Sequence, residues 1–173
     1  VCEAVEAGPP AWRALEIAVV PGVTAMLAVA ARCGAPLGHD FCAISLSDNL
    51  KPWAVVEARL RAVATAGFVI ALYNPVSRAR PWQLDRAFEI LREVLPGTGL
   101  VVFGRAAGRE DERIAVTPLA RAEAGMADMA TCVIVGSPAT RIIPREGLPP
   151  LVYTPRFAEG AVDRGGEMTG AVR

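Results

Sequence analysis

Four short loops carry the residues best suited to handling a ligand. They are Pro21-Gly22-Val23-Thr24-Ala25, Asn74-Pro75-Val76-Ser77, Gly104-Arg105-Ala106-Ala107-Gly108-Arg109 and Gly136-Ser137-Pro138-Ala139-Thr140. Each follows an apolar run. Small side chains let a ligand approach the backbone and use its N–H and C=O groups. In open α/β sheets ligands bind beyond the carboxyl ends of the strands. The four loops are therefore expected to converge on one concavity, bordered by Thr24, Tyr73, Ala107 and Thr131. Any one loop serves equally well as a turn; the recurrence favours a site. No phosphate-binding motif accompanies them, neither G-x-x-x-x-G-K-[ST] nor G-x-G-x-x-G after a strand. The lone histidine, His39, stands beside Asp40 and reads first as a loop hydrogen-bonding residue. Without a second good ligand nearby it does not suggest a metal site, and no Ser-His-Asp set is evident.

These loops need elements to hold them. Residues 68–73 (FVIALY), 100–103 (LVVF) and 132–135 (CVIV) are continuous apolar runs rich in β-branched residues. Such runs mark strands buried on both faces, here expected to be central. Residues 17–20 (IAVV) read the same way; 41–46 give a mixed strand and 113–116 an edge strand. Trp53, Val56, Leu60 and Val63 recur at helical spacing, as do Leu84, Ala87, Phe88, Leu91 and Leu95 ahead of Pro96-Gly97. The Ala-rich stretch 24–33 should form a helix ending at Gly34, and 118–124 a short one. Alternating strands and helices predict an α/β fold, a mixed sheet flanked by helices. Residues 17–156 would form the domain, 1–16 a linker from a preceding domain, and 157–173 a poorly ordered tail.

Composition excludes several function classes. The 173 residues are 53% apolar, enough for a core without disulfide help, and carry 18 basic and 18 acidic side chains. That balance gives no reason to expect nucleic acid or an anionic membrane as partner. The longest apolar stretch, 17–31, is broken by Pro21, Gly22 and Thr24 and is too short to span a bilayer. Cys2, Cys33, Cys42 and Cys132 are scattered, with no C-x-x-C pair. They fit a reducing cytoplasm. The first residue is Val1, which suggests a fragment or an alternative start codon.

The motifs VVPGVTA (19–25), GAPLGHDFCAISLSD (34–48), ALYNPVSRAR (71–80), GRAAGRED (104–111), DMATCVIVGSPAT (128–140) and VYTPR (152–156) occur in one order. Together they resemble the S-adenosylmethionine (SAM)-dependent tetrapyrrole methylases, and within them the branch that methylates C17 of a precorrin during corrin-ring contraction. The resemblance implies two α/β domains with SAM between them and the tetrapyrrole in an adjoining trough. The match covers 17–156, corresponding to the second domain. By this resemblance Thr24 and Ala25 would meet SAM, Leu72, Tyr73 and Asn74 would approach its methionine or adenosine part, and Ala106, Ala107, Ala130 and Thr131 would line the adenine pocket. Arg105 and Arg109 would face substrate carboxylates. His39, Asp40, Ser45 and Asp48 are the candidates for proton handling. No catalytic triad is needed, because SAM brings its own leaving group and positioning supplies much of the rate. A cytoplasmic enzyme follows, compatible with a homodimer. Two other readings compete: a methylase of the same superfamily acting on a different substrate, and a truncated, non-catalytic module.

Overall fold

The computed structural model describes residues 1–77 and 79–157. The expected tail lies almost wholly outside these. Two short helical pieces open the chain, α1 (Cys2–Ala7) and a 3-10 turn (Pro10–Ala14), and neither buries a residue. There follow α2 (Ala25–Cys33), β1 (Gly34–Ala35), β2 (Phe41–Ser45), α3 (Trp53–Thr65), β3 (Val69–Tyr73), α4 (Gln83–Val94), β4 (Leu100–Arg105), β5 (Arg113–Pro118), β6 (Thr131–Val135), β7 (Arg141–Arg145) and β8 (Leu148–Tyr153).

The main sheet has the order β2-β3-β6-β4-β5. β2 and β3 run parallel, while β6 is antiparallel to both of its neighbours, β3 and β4. The three continuous apolar runs thus become its three inner strands. Period-2 alternation divides their side chains between two cores. Ile70, Leu72, Val101, Phe103, Val133 and Val135 pack with Val56 and Leu60 of α3 and Leu84, Phe88 and Leu91 of α4. Val69, Val102, Cys132 and Ile134 pack on the other face with Val29, Ala30 and Cys33 of α2. The result is a mixed sheet between helical layers.

α2 lies close to the sheet because β4 carries Gly104 beneath it. A Cβ there would stand 2.5 Å from Val29 Cγ1 and closer still to Cγ2. A second, small sheet, β1-β8-β7, closes the far end of α2.

Several expectations need correcting. Residues 17–20 form no strand: they pair with nothing among the described residues, and Val19 and Val20 are 86% and 89% exposed. The helix expected over 118–124 is instead the end of β5 followed by a 3-10 turn, Leu119–Arg121, with another at Ala124–Met126. Leu119 N–H bonds Gly99 O and Ala120 N–H bonds Gly97 O, which ties this stretch to the β4 approach rather than to a helical ladder.

Candidate functional site

The antiparallel placement of β6 decides which loops meet. Arg105 stands opposite Thr131, and Leu72 opposite Val133, so the carboxyl ends of β3 and β4 share a rim with the amino end of β6. Residues 128–131 therefore join this rim. The loop 136–140 leaves the opposite end of the sheet, about 13 Å away along four residues of strand. The expected convergence of all four loops fails for that one.

At the rim, α2 starts over β3. Its N-cap residue Thr24 has no side-chain cap of its own. The Tyr73 hydroxyl takes that role: it accepts the Met26 N–H at 3.0 Å and shares a short hydrogen bond with Thr24 Oγ1. Beside this cap lies an open concavity of about 430 Å³, lined by Ala25, Val29, Gly104, Ala106, Ala107, Arg109, Met129 and Ala130. Small side chains dominate it. Ala107 has neither its backbone N–H nor its C=O paired among the described residues.

One guanidinium holds the two outer walls. Arg105 Nε donates to Asp128 Oδ2 at 2.7 Å, and Nη1 to Asp111 Oδ2 at 2.5 Å. Asp128 Oδ1 in turn accepts the Thr131 hydroxyl at 2.8 Å and the Ala130 N–H at 2.9 Å. Ala106 N–H closes the link to Ala130 O at 3.0 Å. Hydrogen bonds from Thr131, then from Arg105, hold the Asp128 carboxyl below the usual range, and the Arg105 bond does the same to Asp111. Glu112 anchors the loop to α2, accepting Gly108 N–H at 2.5 Å and Arg32 Nε at 2.9 Å.

The sequence candidates sort accordingly. Ala25, Ala106, Ala107, Arg109 and Ala130 line the concavity, and Thr24 and Tyr73 form its cap. Thr131 is buried and spends its hydroxyl on Asp128. Leu72 is fully buried on the face toward α3 and α4, so its side chain cannot reach the concavity. Arg105 is committed to two carboxylates rather than open to a third; Arg109 makes no ion pair among the described residues. Asn74 donates to Ser45 Oγ at 2.9 Å, and Asp48 pairs with Arg80 Nε at 3.0 Å. Asn74 lines a neighbouring cleft, and Asp48 stands beside it.

His39 and Asp40 precede β2, beside Val69, at the opposite end of the sheet. Proton handling at the concavity is beyond their reach. Gly104 lines the concavity with the loop it opens, and Val29 and Met129, neither of them among the expected contacts, line it too. The GR and DMAT motifs that carry two of these three were the available signal. Burial pushes the Cys132 thiol up to about 12, so this residue beneath α2 stays protonated and is no nucleophile.

Among the described residues no three of His, Cys, Asp and Glu are grouped to hold a metal ion, and no helix is long and apolar enough to cross a membrane.

The family model described as Tetrapyrrole (Corrin/Porphyrin) Methylases matches residues 2–123. A protein of Sinorhizobium sp. named precorrin-3B C(17)-methyltransferase is 71% identical over 161 residues, 93% of this chain and 63% of its own length. The crystal structure of the methyltransferase CobJ superposes with a TM-score of 0.82 at 52% identity, over 89% of this chain and 62% of that one. A uroporphyrin-III C-methyltransferase from Thermus thermophilus, solved with S-adenosylhomocysteine, gives a TM-score of 0.51 at 25% identity, over 72% of this chain and 53% of that one. The chain thus spans less than two thirds of each of these relatives.

Proposed function

The chain belongs to the tetrapyrrole (corrin/porphyrin) methylases, and from that premise we propose that it forms one wall of a SAM site in an enzyme that methylates a precorrin. The carrying observation is the concavity between α2, the 104–109 loop and the 128–130 turn. Its volume falls within the range of small-molecule sites. Glycine, alanine and one valine make up six of its eight lining residues, with Arg109 and Met129 the larger two, and leave room for a flat base against the backbone. The unpaired N–H and C=O of Ala107 would read the edge of an adenine. Thr24 and Tyr73, bonded to each other at the start of α2, would flank the methionine end.

SAM would supply a methyl group whose bond to sulfur breaks, the pair staying on sulfur, as its bond to a ring carbon forms. The residues of this chain do the remaining work. Val29, 1% exposed, would close one side of the concavity to water, and the exposed Met129 would stand at its edge. The Arg105 clamp fixes both outer walls before a ligand arrives, so that little ordering is left to binding. The name of the 71%-identical relative supports C17 of precorrin-3B as the position methylated.

Ultraviolet crosslinking with methyl-labelled SAM tests this. Label is expected on peptides holding residues 104–109 or 128–131, and Ala107→Trp should reduce it at least fivefold with the fold intact by circular dichroism. Label confined to the far end of the sheet, around 136–140, would overturn the assignment.

A further inference from the structure

Two motifs remain outside the concavity just described: SLSD after β2 and NPVSRAR after β3. The fold brings them together. Ser47 and Asn49 from the first, Asn74, Ser77 and Arg80 from the second, and Gln83 at the start of α4 enclose a polar cleft of about 270 Å³. Met129 lines both this cleft and the concavity, so the two adjoin.

The cleft is built from fixed parts. Arg80 joins its two sides, through Nε to Asp48 Oδ1 at 3.0 Å and through a guanidinium nitrogen to Asn49 Oδ1. Asn74 has a left-handed backbone, φ +52°, and donates to Ser45 Oγ. Lys51 Nζ caps Ser47 O at 3.0 Å. Gln83 is 2% exposed, and among the described residues its Nε2 finds no hydrogen-bond partner. Buried amides are ordinarily satisfied, and an exception calls for a ligand or a water. Gln83 is also the first residue of a 12-residue helix that has no side-chain cap. The N–H groups of its first turn lack intrahelical acceptors and favour negative charge. No acidic side chain lines the cleft among the described residues; of those nearby, Asp48 is paired with Arg80, and Asp85, in the first turn of α4, accepts the Ala124 N–H at 2.9 Å.

We infer that this cleft is a carboxylate-recognising subsite, with Gln83, Ser77 and Asn49 binding an acidic side chain of the tetrapyrrole next to the methyl-donor concavity. The inference rests on the functional reading above, which supplies a polycarboxylate as substrate class. Serine and asparagine donors suit a carboxylate that must be held yet released. They discriminate better than a bare lysine would, because a donor left unpaired penalises the wrong ligand.

The test is a titration of the ¹⁵N-labelled chain with uroporphyrin III, followed by amide shifts, which register weak binding. The Gln83 side-chain amide and the backbone amides of Ser77, Gln83 and Leu84 are expected to move together. Ser77→Ala and Asn49→Ala should each weaken the apparent affinity about three- to tenfold, and Gln83→Leu about tenfold. Should Gln83→Leu fail to fold, the two surface variants carry the result. A separate titration with S-adenosylhomocysteine should shift Ala107 and Ala130 equally in all variants. Uroporphyrin shifts that avoid this cleft, or affinities unchanged in the three variants, would overturn the subsite. Failure of S-adenosylhomocysteine to perturb Ala107 and Ala130 would instead count against the methyl-donor reading.

Discussion

Ala106 occupies the point where the glycine-rich loop leaves β4, with φ +49°. An L-residue pays about 1–2 kcal/mol for a left-handed backbone, because Cβ crowds the following carbonyl. Asparagine tolerates that conformation better. The alanine is held there by its N–H bond to Ala130 O and by the Arg105 clamp on either side. Ala106→Gly removes the strain and adds about 0.4–1 kcal/mol of unfolded-chain entropy. The net expectation is a gain of about 0.5–1 kcal/mol, read as a rise in Tm of roughly 1–4 °C. Ala107→Gly is the control: its backbone is not left-handed, so only the entropic loss remains and Tm should fall. A lower Tm for Ala106→Gly would mean that the loop does not store strain. At this scale the sequence was partly legible. Small residues at 104–109 announced a close backbone approach. Arg105, by contrast, reads as free for a substrate because one of its two partners, Asp128, lies 23 positions away in sequence, although the other, Asp111, is only six away.

At the scale of elements, the packing of α2 on β4 sets the depth of the concavity. Gly104 permits the contact, and Val29 fills it. Gly104→Ala would force the helix outward at a cost of about 1–3 kcal/mol, the usual range for overpacking. Urea unfolding of Gly104→Ala, Val29→Ala and the double variant checks this. The double variant should lose less than the sum of the singles, since the smaller residue 29 makes room for the new methyl. Strict additivity would contradict the contact. The inner strands and the helices α2, α3 and α4 were legible, because their apolar periods are uninterrupted. β7 and β8 were not: Pro144, Pro149 and Pro150 break their pattern, and β7 is exposed along its whole length. Residues 17–20 erred the other way, since an aliphatic run states a wish for burial and not what will cover it. Strand direction is a further gap. Apolar runs do not say which way a strand points, so β6 put the 136–140 loop at the wrong end.

At the scale of the whole molecule, Ile17, Val19, Val20, Val23 and Leu27 form an exposed apolar stretch that runs up to the rim of the concavity. We read that stretch, together with the open side of the concavity, as the place where a second domain completes the SAM site. Hydrogen bonds and charges left facing water add little net affinity, and an open wall cannot hold donor and acceptor in line. The most direct test is calorimetric titration of S-adenosylhomocysteine into this chain and into the same chain joined to the unmatched remainder of the Sinorhizobium relative. The joined protein should bind at least tenfold more tightly, and Ala130→Trp should weaken both. Equal affinity of the two proteins, or indifference of both to Ala130→Trp, would contradict the account.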